Sequence, residues 1–88
     1  MDFVVFTQRV EILDDRKERR DSIDQKVSLF IRQCGFLPLA LPNNPKIAIE
    51  IIEAIKPKGI ILTGGNTSVI YGGNAPERDE TDFILLQL

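Results

Sequence analysis

The chain has no histidine and only one cysteine in its 88 residues. Without an imidazole there is no ordinary general base to activate a hydroxyl or thiol, and no histidine-built metal site. One cysteine rules out an internal disulfide and suits a reducing compartment. No uninterrupted apolar run is long enough to cross a bilayer, so no membrane partner is expected. The N-terminus, Met1-Asp2-Phe3-Val4, lacks the basic stretch and apolar run of a signal peptide, and a cytoplasmic location is expected. Charge of one sign is also scarce: the net charge is -2 and the pI about 5.0, which gives no footprint for nucleic acid. The cluster Arg16, Lys17, Arg19 and Arg20 is interleaved with Asp14, Asp15, Glu18 and Asp21, and reads as a solvated loop.

What is present is ordinary for a globular chain: 43% hydrophobic and 27% charged residues, with five prolines and six glycines. Phe3-Val4-Val5-Phe6 within Asp2 to Thr7 predicts a first strand buried on both faces. Gln8 to Arg20 shows no apolar periodicity and reads as a loop, with at most a helical turn. Ile23, Val27, Phe30, Ile31 and Cys34 form one apolar stripe, which predicts a helix over Ser22 to Cys34, capped by Asp21 or Ser22 and ended by Gly35. Phe36 to Leu41 reads as a strand, at an edge or irregular because Pro38 removes a ladder donor. Asn44 as N-cap and Pro45 at the first turn open a second helix over Lys46 to Lys56, closed by Pro57. Gly59 to Thr63 is a third strand. Glu77 to Leu88 reads as a helix with an acidic start and a densely apolar end.

The order β-α-β-α-β-loop-α implies a parallel sheet with helices on its faces. The fold class expected is α/β, a three-layer, flavodoxin-like parallel-sheet fragment. Three strands and an apolar terminus are thin for independence. Residues 1–88 are therefore read as one partial domain: a fragment, a split subunit or a domain that relies on another copy.

The most informative run is Gly59-Ile60-Ile61-Leu62-Thr63-Gly64-Gly65-Asn66, a buried strand that breaks into a double-glycine loop. Open parallel sheets place their chemistry at that strand edge. Paired glycines allow positive φ and bring bare N–H groups to a ligand, so such a loop can bind an oxyanion. It lacks the Gly-x-Gly-x-x-Gly spacing of a dinucleotide site and the Gly-Lys-Ser/Thr end of a P-loop. No cofactor is indicated.

This run, with Tyr71-Gly72-Gly73-Asn74-Ala75-Pro76-Glu77-Arg78-Asp79 downstream, resembles the front part of class I glutamine amidotransferase-like proteins, and within them the γ-glutamyl hydrolase (peptidase C26-like) branch. Thr7-Gln8-Arg9 and Arg20-Asp21-Ser22-Ile23-Asp24-Gln25 are similar to the start of such proteins. The resemblance implies a Cys-His-Glu hydrolase that attacks a γ-glutamyl amide, in some relatives a nucleotide-linked intermediate of surface-sugar synthesis. It implies that the Gly65 N–H helps hold the tetrahedral oxyanion, within a loop that includes Gly64. The family's nucleophile sits in a Gly-x-Cys-x-Gly turn after the next strand, and no such turn occurs in the 88 residues. The chain alone is expected to be inactive.

Other candidates are weaker. Cys34 lies at a helix C-terminus with no histidine to activate it, and reads as a small apolar residue closing the stripe. Asp14 with Asp15, and Asp79 with Glu80 and Asp82, read as solvated or helix-start charge, and no metal is expected. Arg78 can grip a carboxylate or phosphate bidentately or pair with a nearby acid. Gln8, Arg9 and Asn66 stand at the sheet's active edge as substrate-side candidates, and Thr63 is placed to hydrogen-bond the loop. A second class of reading is a non-catalytic module that pairs with itself or a complementary chain through its apolar C-terminal helix.

Overall fold

The computed structural model describes residues 1–13, 17–63, 76–78 and 81. Strand β1 (Phe3–Phe6) is the apolar run at the N-terminus. It lies in the middle of a three-stranded sheet, with β4 (Leu37–Ala40) on one side and β5 (Gly59–Ile61) on the other. Both neighbours run parallel to it, and Val5 stands opposite Leu39 and Ile60. Because side chains alternate across a strand, Val5 faces one layer while Val4 and Phe6 face the other. Helix α2 (Pro45–Ile55) covers the Val5 face with Ala48, Ile51, Ile52 and Ile55. Helix α1 (Gln25–Gln33) covers the Val4 and Phe6 face with Val27 and Ile31. The parallel sheet between two helical layers is the architecture the periodicity predicts.

The helix ends follow their capping chemistry. Asn44 accepts a hydrogen bond from the Ile47 N–H, with Pro45 in the first turn, as expected. Gly35 adopts φ 94 beyond the end of α1, and its N–H donates to Arg32 O while that of Phe36 donates to Ile31 O. That is the Schellman arrangement, and it needs a residue that tolerates positive φ. Pro38 lies in β4, which has no partner on its outer side among the described residues.

Two expectations are corrected. Residues 8–20 are not simply a loop: they contain β2 (Arg9–Leu13), and β3 begins within them and runs Glu18–Ser22. The two strands pair antiparallel as a separate sheet. The fold is therefore a mixed α/β arrangement of a parallel three-stranded sheet with helices and a separate two-stranded sheet, rather than the single flavodoxin-like sheet expected. The period-two signal was confined to Val10 and Ile12, because β3 carries no apolar residue. Its place instead comes from the antiparallel ladder with β2, which sets Glu11 opposite Arg20 in register and which apolar patterning does not reveal. Helix α1 also starts later than Ser22. Asp24 is its N-cap and accepts from the Lys26 N–H, since Ser22 ends β3 and the Asp21 carboxylate is bound elsewhere. Of the helix expected over Glu77 to Leu88, residues 76–78 and 81 are helical and the remainder lies outside the described residues.

Candidate functional site

The C-terminal ends of the three parallel strands form a polar edge on an otherwise apolar sheet. Thr7 follows β1, Leu41 and Asn43 follow β4, and Thr63 follows β5. The ladder continues one step past the strands: the Thr7 N–H donates to Ile61 O at 3.0 Å and the Leu41 N–H to Phe6 O at 2.8 Å. Side chains then replace backbone. The Thr63 N–H donates to Thr7 Oγ1 at 2.9 Å, and Thr63 Oγ1 donates to Thr7 O at 2.7 Å. Arg78, only 3% exposed, reaches Thr63 Oγ1 with Nη2 at 3.4 Å.

A second polar node lies between β1 and β4. Gln8 Nε2 donates to Leu41 O at 2.9 Å. Asn43 Nδ2 donates to Gln8 O at 2.9 Å and to Asp21 Oδ1 at 3.0 Å, while its backbone N–H donates to Asp21 Oδ2 at 3.0 Å. Both partners of Nδ2 are acceptors, so flipping the Asn43 amide would set oxygen against oxygen; the orientation is fixed by charge. Asp21 thus ties the β2–β3 hairpin to the edge. Arg19 makes a second tie, with Nε and Nη2 each 2.6 Å from the Glu77 carboxylate. Hydrogen bonding from Arg19 holds the Glu77 carboxyl below its ordinary pKa, and the same bond raises that of the guanidinium. In the hairpin register Val10 pairs with Asp21 and Ile12 with Arg19, so one face carries both ties together with buried Val10.

The expected site residues distribute unevenly. Gly64, Gly65 and Asn66 lie outside the described residues; Thr63, from which they follow, is at the edge. Gln8 and Arg78 are both at that edge, hydrogen-bonded within the fold. Arg9 projects from the other face of the hairpin, its side chain 49% exposed, and pairs with Glu11 at 2.8 Å. Asp14, Asp15, Asp79, Glu80 and Asp82 lie outside the described residues, as does the apolar stretch Phe83 to Leu88. Among the described residues no acidic or thiol cluster could hold a metal, and no helix is long and apolar enough to cross a membrane. Sequence reasoning missed Thr7, Asp21 and Asn43. Thr7 alone carried a signal, as the polar residue that ends an apolar strand.

Cys34 is exposed at the C-cap of α1, away from the polar edge. It lines an apolar cleft of about 330 Å³ with Phe30, Phe36 and Ile61, along the length of β5. Chemically, then, the polar edge can orient a loop and present donors, but the one thiol is at the other end of the sheet. The 88 residues hold no histidine to activate it.

No protein-family model matches the chain, and neither does any solved structure. Among curated proteins it is similar to "GMP synthase [glutamine-hydrolyzing]" of Prochlorococcus marinus (strain AS9601), 40% identical over 79 residues that cover 80% of this chain and 14% of that protein. It is equally similar to the protein of the same name from Clostridium perfringens (strain 13 / Type A), 40% identical over 62 residues, which cover 70% of this chain and 12% of the relative. The chain spans about one seventh of the length of the first of these curated relatives. The similarity supports the broader class I glutamine amidotransferase-like superfamily and does not single out its γ-glutamyl hydrolase branch.

Proposed function

We propose that this chain forms the oxyanion-binding part of a glutamine amidotransferase-like site that hydrolyses a glutamine or γ-glutamyl amide. One observation carries the reading. The double-glycine segment starts from Thr63, a residue held at the C-terminal edge of a parallel sheet by two hydrogen bonds to its neighbour across the edge. A donor fixed in advance at developing negative charge contributes about 3 kcal/mol to transition-state stabilisation. In this reading the Gly65 N–H is that donor, Gly64 gives the turn its freedom, and Gln8, Asn66 and Arg78 border the substrate. The attacking thiolate and its base come from sequence beyond these residues or from a complementary chain. The γ-glutamyl hydrolase branch, with a nucleotide-linked γ-glutamyl substrate, is the finer form of the same proposal, carried by Tyr71-Gly72 and Arg78-Asp79.

The test is an assay of the purified 88-residue chain for release of ammonia or amine from glutamine and γ-glutamyl amides. None is expected. Turnover that disappears in Gly65→Pro would show that the chain carries its own nucleophile and would overturn the assignment of that role elsewhere.

A second reading, a non-catalytic module that pairs with another chain, is favoured by the apolar cleft beside β5, where Phe30 is 61% exposed. Sedimentation separates the two. A stable oligomer that Phe30→Ser dissociates supports the module, and a monomer unaffected by that change supports the first reading.

A further inference from the structure

We infer that the β2–β3 ladder is a hinged strap over the C-terminal edge of the parallel sheet, pinned near its base by Asp21 on Asn43 and latched farther out by Arg19 on Glu77. Releasing the latch lifts the outer part of the ladder while the pin holds. This is so whatever the edge binds.

Connectivity makes the ladder a hinged body. Thr7 and Gln8 join it to β1, and Ile23 and Asp24 join it to α1. Both connections reach it at one end, because Arg9 pairs with Ser22. From there the ladder runs out to Leu13 opposite Glu18, so its backbone is tethered to the body at the base alone. One face lies against that body: Val10 is 5% exposed, while Arg9 and Glu11 on either side of it are exposed. Asp21 and Arg19 share the face of Val10, since residues directly opposite across the ladder point the same way. The other face closes on itself, with Arg9 paired to Glu11 and Arg20 to Glu18, each at 2.8 Å. Apolar adhesion is thin, because β3 has no apolar residue and Val10 is the one buried residue of the inner face. Polar contacts therefore decide whether the strap lies down.

The two contacts differ in place and in strength. Asp21 is one ladder step from the base. Both its carboxylate oxygens accept from Asn43, each at 3.0 Å, and Asn43 is 9% exposed. Asn43 Nδ2 also donates to Gln8 O, at the root of the hairpin, at 2.9 Å. Breaking this node would leave donors of a buried residue without their carboxylate, so the pin holds. Arg19 stands two steps farther out. Its grip on Glu77 uses both Nε and Nη2, but the two side chains are 43% and 28% exposed. A partly exposed ion pair is weak net of solvation and is screened by salt. The outer contact therefore gives first. Glu77 precedes Arg78, whose Nη2 reaches Thr63 Oγ1, so the latch lies on the β5 side of the edge and the pin on the β4 side. Closed, the strap spans the two.

The experiment is methyl NMR of the 88-residue chain with a neutral, soluble gadolinium chelate, which relaxes nuclei according to their exposure. The parent, Glu77→Gln and Arg19→Gln are compared at low and high salt, with Val10 reporting on the inner face and Ile31, 1% exposed, on the core. Either substitution is expected to raise the paramagnetic relaxation of the Val10 methyls about two- to fivefold, the gain in open fraction from losing one partly exposed pair. High salt is expected to raise it in the parent and to leave the variants unchanged. Ile31 and hydrogen exchange at the Asn43 N–H are expected to keep the parent's values. The two substitutions lie on opposite sides of the contact, so a variant that unfolds leaves the other to decide. Should both unfold, the parent's salt response decides, and a flat Val10 overturns the inference. An unchanged Val10 in a folded variant overturns it too. So does an equal rise at Ile31, which is general loosening, or faster Asn43 exchange alongside Val10, which is a hairpin that leaves as a whole.

Discussion

The two ends of the parallel sheet solve opposite problems. At the C-terminal edge polar side chains close on one another: Thr7 with Thr63, Gln8 with Leu41 O, and Asn43 with Asp21. Along β5, beside the end of α1, apolar surface is left open, with Phe30 and Cys34 exposed along a cleft. The polar edge spends most of its donors on its own acceptors, and Thr63 is where the chain leaves it. An apolar cleft has surface to offer and nothing to orient. The difference teaches that Cys34 and the polar edge do not share a site among the described residues, so the reaction proposed for that edge takes its nucleophile from elsewhere.

The comparison can be broken most severely from the layer both ends share. Ile31 is 1% exposed and packs with Val4 and Phe6. Ile31→Ala is expected to cost about 2–5 kcal/mol, comparable to the whole stability of a small domain. Urea denaturation should find the variant largely unfolded, with edge and cleft lost together.

A cut at the edge itself should be local. Asp21→Ala leaves the Asn43 N–H and Nδ2 without their carboxylate and is expected to cost about 1–3 kcal/mol. Hydrogen exchange should speed in β2 and β3 and in the turn before α2, while α1 and the cleft keep their protection. Equal loss at both ends would mean that the two regions do not act separately.

The tie between Arg19 and Glu77 sharpens the picture by its pH dependence. The folded-state pKa of Glu77 lies below its unfolded value, so the stability it contributes is present above the unfolded pKa, about 4.3. It is lost as pH falls through the lower folded value. Thermal melts of the parent and Glu77→Gln should therefore converge as pH drops below about 4, with the parent the more stable at neutral pH. The gap should narrow in high salt, because the pair is partly exposed.

The smallest effect belongs to Arg9. Its ion pair with Glu11 is exposed on both sides, so Arg9→Ala is expected to change stability by no more than about 0.5 kcal/mol in a denaturant titration.

Much of the fold was legible in the sequence because it is written in local signals. The apolar run of β1, the stripe of α1, the Asn44-Pro45 helix start and Gly35 all depend on neighbours within a few residues. The hairpin was not legible, since β3, Glu-Arg-Arg-Asp-Ser, gains its place through partners on β2 rather than through apolar burial. The site was legible by position and not by contact. Strand-edge logic put Gln8 at the edge and Thr63 at the end of its strand, but Arg78 was read from arginine chemistry alone, and no periodicity links Thr7 to a residue 56 positions away. Arg9 shows the same limit: its place after β1 suggested the edge, and the pleat of β2 sends it to the other face of the hairpin.

The central claim, a prebuilt oxyanion-binding edge without its nucleophile, is tested most directly by amide NMR during titration of the isotopically labelled chain with the γ-phosphonate analogue of glutamine. The account predicts saturable shifts at the Gly64 and Gly65 amides and at Thr63, with Phe30 and Cys34 unmoved. Shifts confined to Phe30, Cys34 and Phe36, with the glycine amides unchanged, would contradict it.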